Sequence, residues 1–179
     1  MNNSLYRSLC FVESKIVFLE ELFVVAVNYL MIGVIAWQVA CRYIFTIPTP
    51  WAEEMARYIF VWMSFVACAI ATNKNKHIEI DLISTIIEKR AVNIQRALGN
   101  LNKITYIVSI IFLMIMTNIY FQYLMQIFMR GQRSPALKVL LAVPMSAIFA
   151  GALLMIFHYI CLLIIPERIR SEYKTEGEE

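Results

Sequence analysis

Four apolar blocks decide the fold class of this chain: Leu22 to Cys41, Tyr58 to Ala71, Ile104 to Met129 and Val139 to Ile165. None contains an Asp, Glu, Lys or Arg. A helix rises about 1.5 Å per residue and needs roughly 20 residues to cross the hydrocarbon core of a bilayer. The second block reaches that length once the preceding "TPWAEEMAR" is added. With 60% hydrophobic and 16% charged residues, the chain lies far from the about 45–50% and about 25% of a soluble domain. The pattern predicts an all-α integral membrane protein with four transmembrane helices, spanning about 22–45, 51–71, 104–129 and 139–165. They form one membrane domain over 1–170, followed by a polar tail at 171–179.

Charge sets the expected orientation. Four spans put the N-terminus, the middle connection and the C-terminus on one side. That side holds Arg7, Lys15, Lys74, Lys76, Lys89, Arg90, Arg96, Lys103, Arg168, Arg170 and Lys174, eleven of the sixteen basic residues. The excess predicts cytoplasmic termini by the positive-inside rule. It explains the net charge of +3 without a nucleic-acid partner. Glu13, Lys15, Glu20 and Glu21 interrupt the N-terminal stretch, so no cleavable leader is expected and the first helix stays as an anchor.

Two segments have the spacing of helices lying on the membrane. Leu5, Leu9, Val12, Ile16 and Leu19 recur at steps of three and four, with Arg7, Glu13, Ser14 and Lys15 on other faces, which predicts an interfacial helix over about 4–20. Ile83, Ile87, Ala91, Ile94, Leu98 and Leu101 repeat the pattern over about 81–101, with Asp81 placed to cap the start. That second helix rests on lipid headgroups or packs against a partner's cytoplasmic face.

Polar residues inside the spans carry no catalytic pattern. Asn118, Gln122 and Gln126 form a stripe at steps of four, with Thr117 nearby. Such a stripe serves either interhelical hydrogen bonds to a neighbouring subunit or a substrate path. His158 stands alone in the fourth span and reads as a buried hydrogen-bonding residue, since bis-histidine haem ligation needs paired histidines. Phosphate-binding glycine loops, HExxH spacing and a serine nucleophile elbow are missing. The scattered Cys10, Cys41, Cys68 and Cys161 suit buried small hydrophobes better than disulfides or zinc ligands. Small residues four apart, Ala36 and Ala40, Ser64 and Cys68, Ala67 and Ala71, Ala147 and Gly151, are packing ridges. Two related halves with broken helices, the usual mark of a secondary carrier, are not evident.

The stretch "TPWAEEMARY" places three charges at the edge of the second span. Thr49 is expected to cap the helix, Pro50 suits its first position, and Glu53 and Glu54 meet the positive end of its dipole. Glu53 and Arg57 are one turn apart and can pair. An Arg42–Glu54 contact would tie the first hairpin together, and Arg42, Glu54 and Arg57 are expected to form a polar clamp that fixes this hairpin against a large partner subunit. Trp37, Trp51, Trp62, Tyr43 and Tyr58 are available as headgroup anchors.

Three ordered landmarks, "WQVACRYIFTIPTPWAEEMARYIFVWMSFVACAIA", "NKHIEIDLI" and "GQRSPALKVLLAVPMSAIFAGALLM", resemble the small membrane subunit of tripartite ATP-independent periplasmic (TRAP) transporters, the DctQ family. The matching residues are Arg42-Tyr43, Trp51 with Glu54, His77 with Asp81, and Ser134-Pro135-Ala136-Leu137 followed by Pro144. Ala67-Cys68-Ala69 departs from the glycine-containing stretch expected in the second helix.

The resemblance implies a bacterial inner-membrane, non-enzymatic scaffold subunit, paired as a heterodimer with a large elevator-type membrane subunit and working with a periplasmic substrate-binding protein. Sodium and substrate, an organic acid such as sialic acid or a C4-dicarboxylate, belong to the large subunit, so no cofactor or metal is expected in this chain. Its external loops are expected to help the binding protein dock, and its helices to contact lipid. Two rivals remain open: a membrane anchor of a respiratory complex and a four-span adaptor.

Overall fold

The computed structural model describes residues 3–74 and 94–165. Among the described residues there are four α-helices: α1 (Asn3–Tyr43), α2 (Pro50–Asn73), α3 (Ile94–Met129) and α4 (Ala142–Ile164). Each is long and apolar enough to cross a bilayer. The chain is a multi-pass membrane protein. Its surface supports this: Tyr29 is 72% exposed and Leu19 63%, and a run of such side chains along a helix belongs against lipid or another protein and not in water.

The segment expected to form a separate interfacial helix over 4–20 is continuous with the first span. No proline occurs between Asn3 and Tyr43, so nothing breaks the backbone ladder. At 41 residues, α1 is about 62 Å long, twice the roughly 30 Å hydrocarbon core; it must tilt or project beyond it. Its orientation about its own axis also differs from the expected one. Positions 10, 13, 17, 20, 24, 27, 31, 34, 38 and 41 form the covered or half-covered line, while Val12 is 47% exposed. Alternating steps of three and four make a coiled-coil-like seam, and Glu13 and Glu20 lie on it. Acyl chains satisfy an apolar face; carboxylates cannot stay in lipid, so they turn inward. Of the second expected interfacial helix, 81–93 lies outside the described residues, and 94–101 is the first part of α3.

Helix ends follow local chemistry. After α1, Thr46 adopts a left-handed conformation (φ 55°) and the Ile47 N–H reaches the Cys41 carbonyl at 3.0 Å. Pro48 and Pro50 then prevent the helix from continuing. Pro50 occupies the start of α2, as expected, whereas Thr49 makes no side-chain cap bond. Between α3 and α4 the chain folds into a tight loop. Gly131 (φ 59°) and Lys138 (φ 58°) turn it. The Ser134 N–H donates to Val139 at 2.9 Å and the Leu141 N–H to Gln132 at 2.8 Å.

Packing arranges the helices as an open row in the order α1, α2, α4, α3. Each touches its neighbour, α1 grazes α4, and among the described residues α3 makes no packing with α1 or α2. Small residues set the closest approach, between α2 and α4, where Ala69 and Ala147 are completely buried. A Cβ on Gly151 would lie 2.7 Å from the Phe65 Cβ and 3.0 Å from its carbonyl oxygen. Because backbone cannot rotate away, Gly151→Ala is expected to push the two helices apart and destabilise the protein by about 1–3 kcal/mol. Thermal unfolding in detergent checks this, with Gly33→Ala as the control, since a Cβ there meets nothing within 4 Å. Aromatic pairs fill the outer seams: Phe23 with Trp62 between α1 and α2, and Phe121 with Phe149 between α3 and α4.

Candidate functional site

Two polar clusters staple the row, one at each end of α2. Glu54 and Asn73 are 19 residues apart on that helix, about 28 Å along its axis, close to the thickness of the hydrocarbon core. Each cluster therefore sits near one boundary of the bilayer, where a charged group has the shortest route to water.

At the hairpin end, Glu54 is buried, 6% exposed. Its Oε1 accepts a 2.6 Å hydrogen bond from the Tyr58 hydroxyl one turn along α2. Its Oε2 accepts two backbone N–H bonds, from Ala136 and Leu137, both 2.9 Å. A carboxylate with three donors is held firmly. The Ser-Pro-Ala-Leu stretch thus closes over the start of α2: Ser134 is buried, Pro135 exposed, and the amides after them aim at Glu54.

This geometry corrects the Arg42–Glu54 contact expected across the first hairpin. Arg42 does not pair with Glu54; its guanidinium lies 6.0 Å from the centre of the Tyr43 ring. It lines an open cavity of about 460 Å³ with Gln38, Thr49 and Glu53. Glu53 does pair with Arg57, at 3.4 Å, but both side chains are 67% exposed, and exposed pairs contribute little. Trp51 and Tyr43 are exposed. Pro144 is buried and lines an apolar groove of about 340 Å³ with Phe23, Tyr58 and Trp62. His77 and Asp81 lie outside the described residues.

At the opposite end, where α1 starts and α2 and α4 finish, a second cluster joins three helices. His158, 0% exposed, has its Nε2 3.1 and 3.2 Å from the two Glu20 carboxylate oxygens. Asn73 Nδ2 donates to Glu13 Oε1 at 2.6 Å and lies 3.4 Å from His158 Nδ1. With a neutral ring the Asn73 amide can donate to Nδ1; with a protonated ring, Nδ1 faces Glu13 at 3.8 Å. Just outside, Lys74 donates to Glu21 at 2.6 Å. Cys10, Cys161 and Ile165 pack together at this end, and none of the four cysteines forms a disulfide. His158 is the buried hydrogen-bonding residue that its isolation suggested.

Sequence reasoning does not find Glu13 and Glu20 as site residues: Glu13 falls off the apolar face expected of the N-terminal helix, and Glu20 marks only a break in its apolar character. Their spacing of seven, in line with Cys10, Val17 and Val24, is the signal that places both on one seam. Neither cluster contains a nucleophile paired with a base, and both His158 nitrogens face protein groups. The arrangement holds helices.

The third polar feature faces outward. Asn118, Gln122 and Gln126 are all exposed on α3, joined among the described residues by a single 3.5 Å contact from Gln122 to Asn118. Beside them lies a surface depression of about 410 Å³ lined by Phe121, Gln122, Met125, Gln126, Met129 and Arg130.

Residues 31–166 match the family described as tripartite ATP-independent periplasmic transporters, DctQ component. The chain is similar to the sialic acid TRAP transporter small permease protein SiaQ of Vibrio cholerae, 33% identical over 73 residues, which cover 41% of this chain and 42% of that protein. It is also similar to the isethionate TRAP transporter permease protein DctMQ of Oleidesulfovibrio alaskensis, 31% identical over 134 residues, 70% of this chain and 20% of that one. A third similarity is to the sialic acid TRAP transporter permease protein SiaT of Haemophilus influenzae, 28% identical over 58 residues, 32% of this chain and 9% of that one. The chain spans less than half the length of these relatives.

Proposed function

The chain belongs to the DctQ component family of TRAP transporters, and from that premise we propose that it is the static scaffold of an organic-acid transporter of the bacterial inner membrane, carrying no transport site of its own. The observation that supports this most is the open row of helices stapled at both ends. Such a row resists shear but leaves two broad faces uncovered by the other described helices. A moving transport domain needs a support that does not tilt with it, and a wide row gives that support lateral purchase in the bilayer.

The partner is a large membrane subunit. In the DctMQ relative the matched segment occupies 20% of the protein, so there it is joined to a far longer polypeptide. Sodium and substrate belong to that large subunit, and the sialic acid relatives make sialic acid or a related carboxylate the first substrate to try. The termini face the cytoplasm, which puts the Glu54 cluster and the 132–141 loop on the periplasmic side, within reach of a substrate-binding protein.

Reconstitution tests the proposal. Proteoliposomes holding the large subunit, binding protein, sodium gradient and labelled sialic acid are expected to lose uptake when this chain is left out. Uptake at the full rate without it would remove the scaffold role. The rival of a haem-bearing anchor is disfavoured because both ring nitrogens of His158 are engaged by Glu20 and Asn73.

A further inference from the structure

We infer that the Asn118, Gln122 and Gln126 stripe of α3 is the face on which the large membrane subunit docks, through amide hydrogen bonds to polar groups on one of that subunit's transmembrane helices. The inference rests on the proposed scaffold role and adds the surface and its chemistry.

Position makes the stripe unusual. The span of α3 runs from Asn102 to Met129. At about 1.5 Å per residue, Gln126 lies about 5 Å and Asn118 about 16 Å from its end, so the stripe runs from one boundary to the middle of the hydrocarbon. Lipid tails offer no donor or acceptor there. Each amide presents both, and among the described residues the one side-chain hydrogen bond within the stripe is the long Gln122–Asn118 contact.

The row explains why none of the other described helices covers it: among the described residues α3 is an edge helix that packs on α4 alone. The depression beside the stripe can receive a side chain from a helix laid along it. α1, the other edge, differs. Its carboxylates Glu13 and Glu20 turn inward, and its exposed face carries one span amide, Asn28, where lipid suffices for nearly all of the surface. A second copy of this chain could meet the stripe with its own amides. The large subunit is preferred because in the DctMQ relative the matched segment is continuous with four fifths of a longer protein, which makes a large polypeptide its constant neighbour.

The test uses the full chain co-expressed with the large subunit. Asn118→Leu, Gln122→Leu and Gln126→Leu combined replace amides by a residue that favours the membrane, so insertion of this chain is not impaired. Recovery of the large subunit on the tagged small one is expected to fall about tenfold, from three interhelical amide bonds lost together. Unfolding of the small chain alone should be unchanged.

A benzophenone photocrosslinker at position 122 should yield an adduct with the large subunit, and one at position 18 on α1 should not. An adduct between two copies of this chain, an adduct only from position 18, or unchanged recovery of the triple variant overturns the inference while the scaffold role stands. If the unmodified chain recovers no large subunit, the scaffold role itself fails, and the docking face with it.

Discussion

Glu54→Ala is expected to lower the unfolding temperature of this protein by roughly 5–10 °C in detergent, and to open the loop between α3 and α4 to protease, whereas Glu53→Ala next to it changes neither. Two adjacent glutamates differ because their partners differ. Glu53 meets Arg57 on an open surface at 3.4 Å, a pair of the kind that contributes about 0.3–0.5 kcal/mol. Glu54 holds the Ala136 and Leu137 N–H groups and the Tyr58 hydroxyl. Removing it leaves three donors without an acceptor near the hydrocarbon boundary, where water can only partly replace it.

Glu54→Gln keeps one acceptor oxygen and should fall between wild type and alanine. Arg42→Ala, which removes no bond to Glu54, should leave the loop protected. If Arg42→Ala and Glu54→Ala opened the loop equally, the hairpin would be held by the expected clamp and not by the backbone amides. If neither opened it, Glu54 would not hold the loop at all.

That contrast also shows what the sequence could and could not convey. The four spans were legible because the bilayer imposes a length and excludes charge, and Pro50 was legible because its missing N–H fits only a helix start. The Ala147 and Gly151 ridge and the burial of His158 were legible for similar local reasons. The true partner of Glu54 was not. Backbone amides carry no residue signature, so a nearby arginine looked like the obvious counter-ion. The inward turn of Glu13 goes against a rule that holds in water, where charges mark the solvated face, and Glu20 turns inward with it. In a membrane the same charges mark the covered seam. Their spacing of seven was visible, but only the neighbouring helices turn a spacing into a face. The order of the row also depended on contacts far apart in sequence, which hydropathy does not encode.

His158→Leu is expected to destabilise the protein by about 3–5 kcal/mol, the usual effect of leaving a buried carboxylate without its partner. The Glu20 carboxylate would then stay buried, having lost the ring nitrogen 3.1 Å away, and the N-terminal part of α1 would come loose from α4. Leucine fills the space of the imidazole, so the loss would come from the broken pairing and not from a cavity.

Adding Glu20→Leu separates the two explanations. Replacing a whole buried pair by apolar residues is often neutral or stabilising, and in lipid the apolar alternative is favoured further. The double variant should therefore regain most of what His158→Leu loses, giving a strongly non-additive cycle. Glu13 remains held by Asn73 at 2.6 Å and serves as the internal control. Lys74→Ala, which breaks only the half-exposed pair with Glu21, should have an effect well under 1 kcal/mol. Strict additivity of His158→Leu and Glu20→Leu would mean that the two side chains are neighbours without being partners. The seam of α1 would then be held by its apolar residues alone.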